Sequence, residues 1–408
     1  MTRIALLHPS FASAGGAEFL IASQACTMVA DGSEVRLVTM AFDPARWSSR
    51  FAGVEVQTYT RRHWLDAVMP WDRIGKIRRR ARAAAPHLRD RDVVLAYNFP
   101  ANDMLGSMDL SARTIWQCNE PYRGLHMREA NPVLSARVDA ARGHHLEDAT
   151  EAFARRLQSY DQSMSGTGAL RARQTFDLKT TSRIDTIFAI SDYTRDNARR
   201  IYGRCEETPI FPMVRFPEGG RSRRGLDRSG MQVLVHSRLE VLKNIDTVLK
   251  GFSRFLKTQP GGRIHIVGEG AHRPRLEALA KELLPASAYR FHGYLPDQDL
   301  QKVYEACDVF ALLTLDEPFG MVFPEAAAKG LLLIGPDHGG PMEILDGGRL
   351  GQVIDAFSPE ALAQALEEIW SLDDAEMERR RDVADRACRS RFGIETVGPQ
   401  LKALLSGS

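Results

Sequence analysis

Ten short apolar runs, each followed by a longer amphipathic stretch, constrain this chain more than any other feature. In the first half they are "RIALLHP" (3–9), "EVRLVTM" (34–40), "DVVLAY" (92–97), "RTIWQC" (113–118) and "TIFAIS" (186–191). In the second half they are "QVLVHS" (232–237), "RIHIVG" (263–268), "YRFHG" (289–293), "DVFALL" (308–313) and "LLLIG" (331–335). Strands that are apolar nearly throughout are buried on both faces, and helical stretches between them supply crossovers, so the pattern predicts parallel sheets covered by helices. The series is interrupted once, at "PEGGRSRRGLDRSG" (217–230), which is rich in glycine and charge. That break predicts two doubly wound, Rossmann-like α/β domains over residues 1–210 and 211–390. A terminal helical segment, 391–408, is expected to return to the first domain. Ligands of such sheets bind beyond the carboxyl ends of the strands, so a cleft between two facing domains is the expected site.

A length of 408 residues suits two domains, and 44% hydrophobic with 26% charged residues is ordinary for a globular protein. A formal net charge of +2 gives no reason to expect nucleic acid as a partner. Five scattered cysteines (Cys26, Cys118, Cys205, Cys307, Cys388) form no CxxC pair and read as reduced thiols of a cytoplasmic protein. The opening "MTRIALLHPS" is too short in apolar residues for a signal peptide, and no apolar run reaches the length of a spanning helix.

In "EPFGMVFPEAAAKG" (317–330), Pro324 suits a first helical turn, so a helix is expected near Phe323, with Glu325 in that turn and Glu317 on the loop before it. A helix start offers unpaired N–H groups to a phosphate, and carboxylates on either side of it could take hydroxyls. A sugar–diphosphate–ribose ligand has that arrangement. "HPSFASAGGAEFL" (8–20) passes from a strand through Gly15-Gly16 into a helix, with Phe19, Ala22, Cys26 and Val29 at helical spacing. Paired glycines allow close backbone approach to a ligand, though a tight strand–helix turn would use them equally. "HSRLEVLKNIDTVLKGF" (236–252) places Arg238 and Lys243 on a loop after a strand, as a diphosphate clamp or as plain surface charge.

"IVGEGAHRPR" (266–275) lacks the third glycine and the strand-end acid of a dinucleotide fingerprint, which argues against a nicotinamide enzyme. Asp90/Asp92 and Asp297/Asp299 spell D-x-D, but one pair precedes a strand and the other opens a helix, so no catalytic metal is expected. Residues 61–90 carry nine Lys/Arg against three Asp, interleaved with Trp64, Leu65, Met69, Trp71, Ile74 and Ile77. Such a segment reads either as a contact with an anionic membrane surface or as a solvated helix. Residues 123–182 read as a helical insertion broken at "SMSGTG" (163–168).

Taken in order, Gly15-Gly16, Arg238 with Lys243, Gly268-x-Gly270 and the Glu317/Glu325 pair resemble the retaining glycosyltransferases of family 4, which share the two-domain GT-B architecture. The family's E-x7-E motif reads "EPFGMVFPE" here, and a G-G-x-x-E segment follows as "GGPME" (339–343). The likeness runs from the first strand to the terminal helix and is thinnest from 41 to 185. The opening also looks like mannosyltransferases that extend lipid-linked oligosaccharides.

The resemblance implies that Glu325 binds the ribose hydroxyls and Glu317 the donor sugar, with the Gly320, Met321 and Val322 amides on the phosphates. Arg238 and Lys243 would neutralise the departing diphosphate, Gly15 and Gly16 would close the site, and Tyr294 and Leu295 would meet the base through backbone groups. The implied donor is a nucleotide diphosphate sugar, GDP-mannose or a UDP-hexose, used without a further cofactor and with retention. The acceptor would be a glycan or a lipid-linked glycan at the inner face of the membrane. The chain departs from the family where Asn119 replaces a histidine beside Glu120, and where "IFPMVRF" (210–216) replaces an Asn-Gly turn. Both departures fall on the acceptor side. They leave open a nucleotide-sugar 2-epimerase of the same architecture and a non-catalytic nucleotide-sugar binder.

Overall fold

A computed structural model of the chain describes residues 1–12, 15–59, 66, 69, 72–141, 148–166, 168–214, 216 and 229–407. Trp64, Leu65, Trp71 and nearly all of the glycine-rich segment 217–230 lie outside the described residues. The chain divides into two compact units. Unit 1 comprises Met1–Asn131, Leu157–Met213 and Ile394–Ser408; unit 2 comprises Pro132–Arg156 and Val214–Gly393.

Unit 1 is built on a six-stranded parallel sheet, β1 (Arg3–Leu7), β2 (Glu34–Thr39), β3 (Glu55–Thr58), β4 (Val93–Tyr97), β5 (Arg113–Cys118) and β6 (Thr186–Ala189), in the order β3-β2-β1-β4-β5-β6. Alternate residues feed two cores. Ile4, Leu6, Leu95, Tyr97 and Ile115 enter one, and Ala5, Leu7, Val94, Ala96 and Trp116 the other. Burial on both faces is why these strands are apolar throughout. The terminal helix Ile394–Ser406 adds Val397, Leu401 and Leu405 to the first core. It is pinned there by Arg113, whose Nη1 donates to the Leu404 carbonyl at 2.6 Å.

Unit 2 has its own parallel sheet, β7 (Gln232–His236), β8 (Arg263–Val267), β9 (Tyr289–Gly293), β10 (Val309–Ala311), β11 (Leu332–Pro336) and β12 (Gln352–Ile354), in the order β12-β11-β10-β7-β8-β9. The helix Ile245–Thr258 covers it with Ile245, Val248, Leu249, Phe252 and Phe255, all buried at three- and four-residue spacing. In each unit the strand order reverses direction at one place, between β1 and β4 and between β7 and β10. Such a switch point leaves a crevice between diverging crossovers at the carboxyl ends of the two strands. The helix Pro132–Ala140, encoded between β5 and β6, groups with unit 2.

Two expectations about individual elements change. β3 and β12 do not appear among the ten apolar runs. They are sheet edges whose residues are only half-buried or exposed. The helix Gly16–Ala30 buries Leu20–Ala25 and Met28, whereas Phe19 is 40% exposed and Cys26 and Val29 are half-buried.

Candidate functional site

Unit 2 places its motif residues at the switch point. The loop after β7 carries Arg238 and Lys243, and the loop after β10 carries Glu317 and leads into the helix Val322–Ala328. Asn244 locks the two together. Its backbone is left-handed (φ 52°), and its buried Nδ2 donates to the Leu313 carbonyl at 3.0 Å and the Ala356 carbonyl at 2.7 Å. Leu315 N donates to the Leu242 carbonyl at 2.8 Å, and Thr314 Oγ1 reaches the same carbonyl at 3.2 Å.

Lys243 Nζ forms an ion pair with Glu317 Oε2, both side chains 19% exposed, and Thr314 Oγ1 donates to the same carboxylate oxygen at 3.3 Å. The Glu317 carbonyl accepts from Gly340 N at 2.8 Å, so the "GGPME" segment buttresses this glutamate from behind. Arg238 is exposed, and its guanidinium meets no acid among the described residues.

Pro324 lies in the first turn of the helix Val322–Ala328, with Glu325 beside it. The backbone N–H groups of Gly320, Met321 and Val322 donate to nothing among the described residues. Gly320 supplies the positive φ (97°) that turns this stretch into the helix. The Glu325 carboxylate takes no hydrogen bond from any described residue. Desolvation raises its pKa to about 7; Lys329 lowers it in part and Asp297 raises it further. A carboxylate held in a solvent-poor position without donors is costly to the free protein, and a ligand bringing two hydroxyls would relieve that cost.

The loop after β8 explains Gly268-x-Gly270. A Cβ on Gly268 would lie 1.9 Å from the Ser237 carbonyl oxygen, and one on Gly270 would lie 2.2 Å from that of Leu239. These glycines let the β8 loop press against the Arg238 loop, where Leu239 N donates to the Glu269 carbonyl at 2.9 Å. The chain of contacts continues to β9, since Gly268 N donates to the Gly293 carbonyl at 2.9 Å. Tyr294 then projects into solvent, 79% exposed, with Leu295 half-buried beside it.

In unit 1, Gly15 precedes the helix Gly16–Ala30 in extended conformation. Near it, buried His8 at the end of β1 meets Glu18 through Nε2 at 3.0 Å, and its Nδ1 has no partner among the described residues. This contact was not anticipated from the sequence; its signal is a histidine ending a strand and an acid in the next helix's first turn. Asn119 is buried inside a polar chain. Its Oδ1 accepts from Gln117 Nε2 and its Nδ2 donates to Asn98 Oδ1, each at 2.9 Å. The chain continues from Gln24 Nε2 to Gln117 Oε1 at 2.9 Å and from Tyr97 OH to Gln24 Oε1 at 2.8 Å. Glu120 is exposed and paired with Arg123 at 2.7 Å. Among the described residues no group of three or more His, Cys, Asp or Glu side chains has metal-binding geometry.

Comparison with known proteins finds likenesses in sequence and in fold. Residues 221–388 match the family model "Glycosyl transferases group 1". D-inositol 3-phosphate glycosyltransferase of Corynebacterium urealyticum is 30% identical over 197 residues, 47% of this chain and 46% of that protein. The matched region thus spans under half the length of that curated relative. Among solved structures, sucrose-phosphate synthase from Thermosynechococcus elongatus aligns over 100% of this chain and 99% of its own, with TM-score 0.73 and 18% identity. The Anabaena protein HepE in complex with UDP-glucose aligns over 100% of both chains, with TM-score 0.70 and 16% identity. The expected architecture of two Rossmann-like α/β domains is therefore the observed one, and the likeness to the glycosyl transferases group 1 family model is carried by residues 221–388.

Proposed function

We propose that the protein is a retaining hexosyltransferase that uses a nucleotide diphosphate sugar and acts on a glycan or lipid-linked glycan. The observation that carries this reading is the grouping at the unit 2 switch point. Glu325, desolvated and without a hydrogen-bond partner among the described residues, three N–H groups that donate to none of those residues and the Lys243–Glu317 pair lie on two loops braced by Asn244. Glu325 would accept both ribose hydroxyls, and the Gly320–Val322 amides would take phosphate oxygens. Lys243 would leave Glu317 for the diphosphate, and Glu317, so released, would accept a hydroxyl of the sugar. With Arg238, Lys243 would then offset the charge that grows on the diphosphate as the bond to the anomeric carbon breaks. Tyr294 and Leu295 would flank the base, and Gly15 and Gly16 would close over the donor.

GDP-mannose is the first donor to test and UDP-hexoses the second, since a neighbour of the same fold binds UDP-glucose. Asn119 and Glu120 are assigned to the acceptor side. The Asn119 amide would position rather than accept a proton, because both its polar atoms are engaged. A cytoplasmic location at the inner membrane face is part of the proposal, with 61–90 as the contact. Among the described residues no helix is long and apolar enough to cross a membrane. In that segment Arg79 is tied to Asp66 at 2.7 Å and Asp72 at 3.1 Å, so Arg78 and Arg80 would carry more of the contact.

Product analysis tests the reaction. The protein is incubated with each nucleotide sugar and a panel of glycan and prenyl-diphosphate glycan acceptors. A new glycoside of retained anomeric configuration is expected. An epimerised donor without transfer, or a donor left unchanged with every acceptor, would overturn the proposal.

A further inference from the structure

Unit 1 contains a concavity of about 640 Å³ whose wall carries Arg78, Arg82, Arg89, Lys179 and Arg183, with Asp109 the one acid among its lining residues. None of these five cations has an ion pair or a side-chain hydrogen bond among the described residues. Neighbouring arginines of the same unit are paired: Arg79 with Asp66 and Asp72, Arg36 with Glu55 and Asp90, and Arg91 with Glu34 and Asp90. Glu34, Glu55, Asp66, Asp72 and Asp90 are thus already engaged elsewhere, which leaves Asp109 as the one acid against five cations. Five like charges around one hollow repel one another, and an anion in the hollow would relieve that repulsion.

The hollow is distinct from the loops described above. Arg89 lies just before β4, Asp109 before β5 and Arg183 before β6, which puts the cluster at the amino-terminal edge of the sheet. Gly15, Asn98 and Asn119 follow the carboxyl ends of β1, β4 and β5, at the opposite edge. Phe176 forms part of the wall and supports the Arg78 guanidinium, whose carbon lies 5.3 Å from the ring centroid. The volume falls within the roughly 300–1,000 Å³ of small-ligand pockets, and a concave ring of guanidinium forks matches phosphate oxygens better than a flat basic face would.

We propose that this hollow is a second, independent binding site for a small anion bearing one or more phosphate groups. Two sources share that chemistry, a free phosphorylated molecule and the headgroup of an anionic lipid. The proposal stands apart from the donor assignment in unit 2 and survives its failure.

The test uses the full chain, a triple variant Arg82→Gln/Arg89→Gln/Arg183→Gln, and Lys243→Gln as a control for pyrophosphate held by the donor loops. Binding of inorganic pyrophosphate is measured by titration calorimetry. Binding to phosphatidylcholine vesicles with and without phosphatidylglycerol is measured by co-sedimentation. Removing three of five cations should weaken binding about tenfold or more, while Lys243→Gln leaves this component unchanged. A tenfold loss with pyrophosphate assigns a soluble ligand, and the same loss confined to phosphatidylglycerol vesicles assigns a lipid headgroup. The triple lysine variant Arg82→Lys/Arg89→Lys/Arg183→Lys should recover part of the affinity, and a thermal midpoint of the glutamine variant close to that of wild type shows that it is folded. Absence of binding to both probes, or equal binding by wild type and the glutamine variant, overturns the proposal.

Discussion

Replacing Glu325 by glutamine removes a charge and preserves the side chain's shape. Desolvation lifts this carboxyl from 4.5 to about 7. A carboxyl whose folded pKa lies above its unfolded value binds more protons when folded, so stability declines as pH rises from about 4.5 to about 7 and is level above that. Between pH 5 and pH 8 linkage gives a loss of roughly 2–3 kcal/mol in the wild type, equivalent to roughly 5–10 °C in the midpoint of a domain this size. The Glu325→Gln variant lacks that loss. Calorimetric scans without ligand should therefore find the two proteins similar at pH 5 and the variant more stable at pH 8. Nucleotide sugar should reverse the ranking, because an amide replaces a carboxylate that would take two hydroxyls. Donor affinity should fall by about 1.5–3 kcal/mol, roughly ten- to hundredfold. Parallel pH profiles would refute the desolvation argument, and unchanged donor affinity would refute the ribose assignment.

Three other perturbations probe the scaffold of the site. Lys243→Gln and Glu317→Gln each strand a partner that is only 19% exposed, and the double variant should recover about 1–2 kcal/mol of coupling in a thermodynamic cycle. Additive losses would mean that the pair contributes nothing to the free protein. Asn244→Ala removes three buried hydrogen bonds, two donated by Nδ2 and one that Oδ1 accepts from Thr247 Oγ1, at a left-handed position, and should cost about 2–4 kcal/mol in urea unfolding; a loss below 1 kcal/mol would contradict its role as the brace between the loops. In unit 1, burial and then the neighbouring Asp177 push the Asp103 carboxyl up to about 8. Asp103→Asn should therefore raise the thermal midpoint at pH 8 more than at pH 5, and an equal shift at both would show that Asp103 titrates normally.

Much of this architecture was legible because burial on two faces leaves an unmistakable trace. Each of the ten apolar runs contains a strand, and Pro324 marked the helix that presents Glu325. β3 ("EVQT") and β12 ("QVI") escaped because neither has a fully buried residue, whereas the edge strand β6 is buried throughout and left its apolar trace. The face of the helix Gly16–Ala30 was misread for a different reason. It packs between its sheet and the helix Ile394–Ser406, a partner nearly four hundred positions away, so burial spreads beyond one stripe. Asn244 and Asp316 were invisible for the same cause. Asn244 acts through carbonyls about 70 and 110 residues distant, and Asp316 accepts from Leu134 N at 3.1 Å, capping a helix encoded much earlier. The basic stretch 61–90 was noticed, but Lys179 and Arg183, which line the same hollow, come from the end of the stretch 123–182, which read only as a helical insertion, and from just beyond it.

The most direct measurement is a thermal-shift screen of wild type and Glu325→Ala against GDP, UDP, ADP and dTDP and their common hexose conjugates, with and without chelator. A ligand at a hundred times its Kd adds about 2.7 kcal/mol to stability, which such a screen resolves. The predicted result is stabilisation by the nucleotides of one base, indifferent to chelator and lost in Glu325→Ala. No stabilisation by any of them, or an equal shift in the variant, would contradict a nucleotide-sugar site at the β7–β10 switch point.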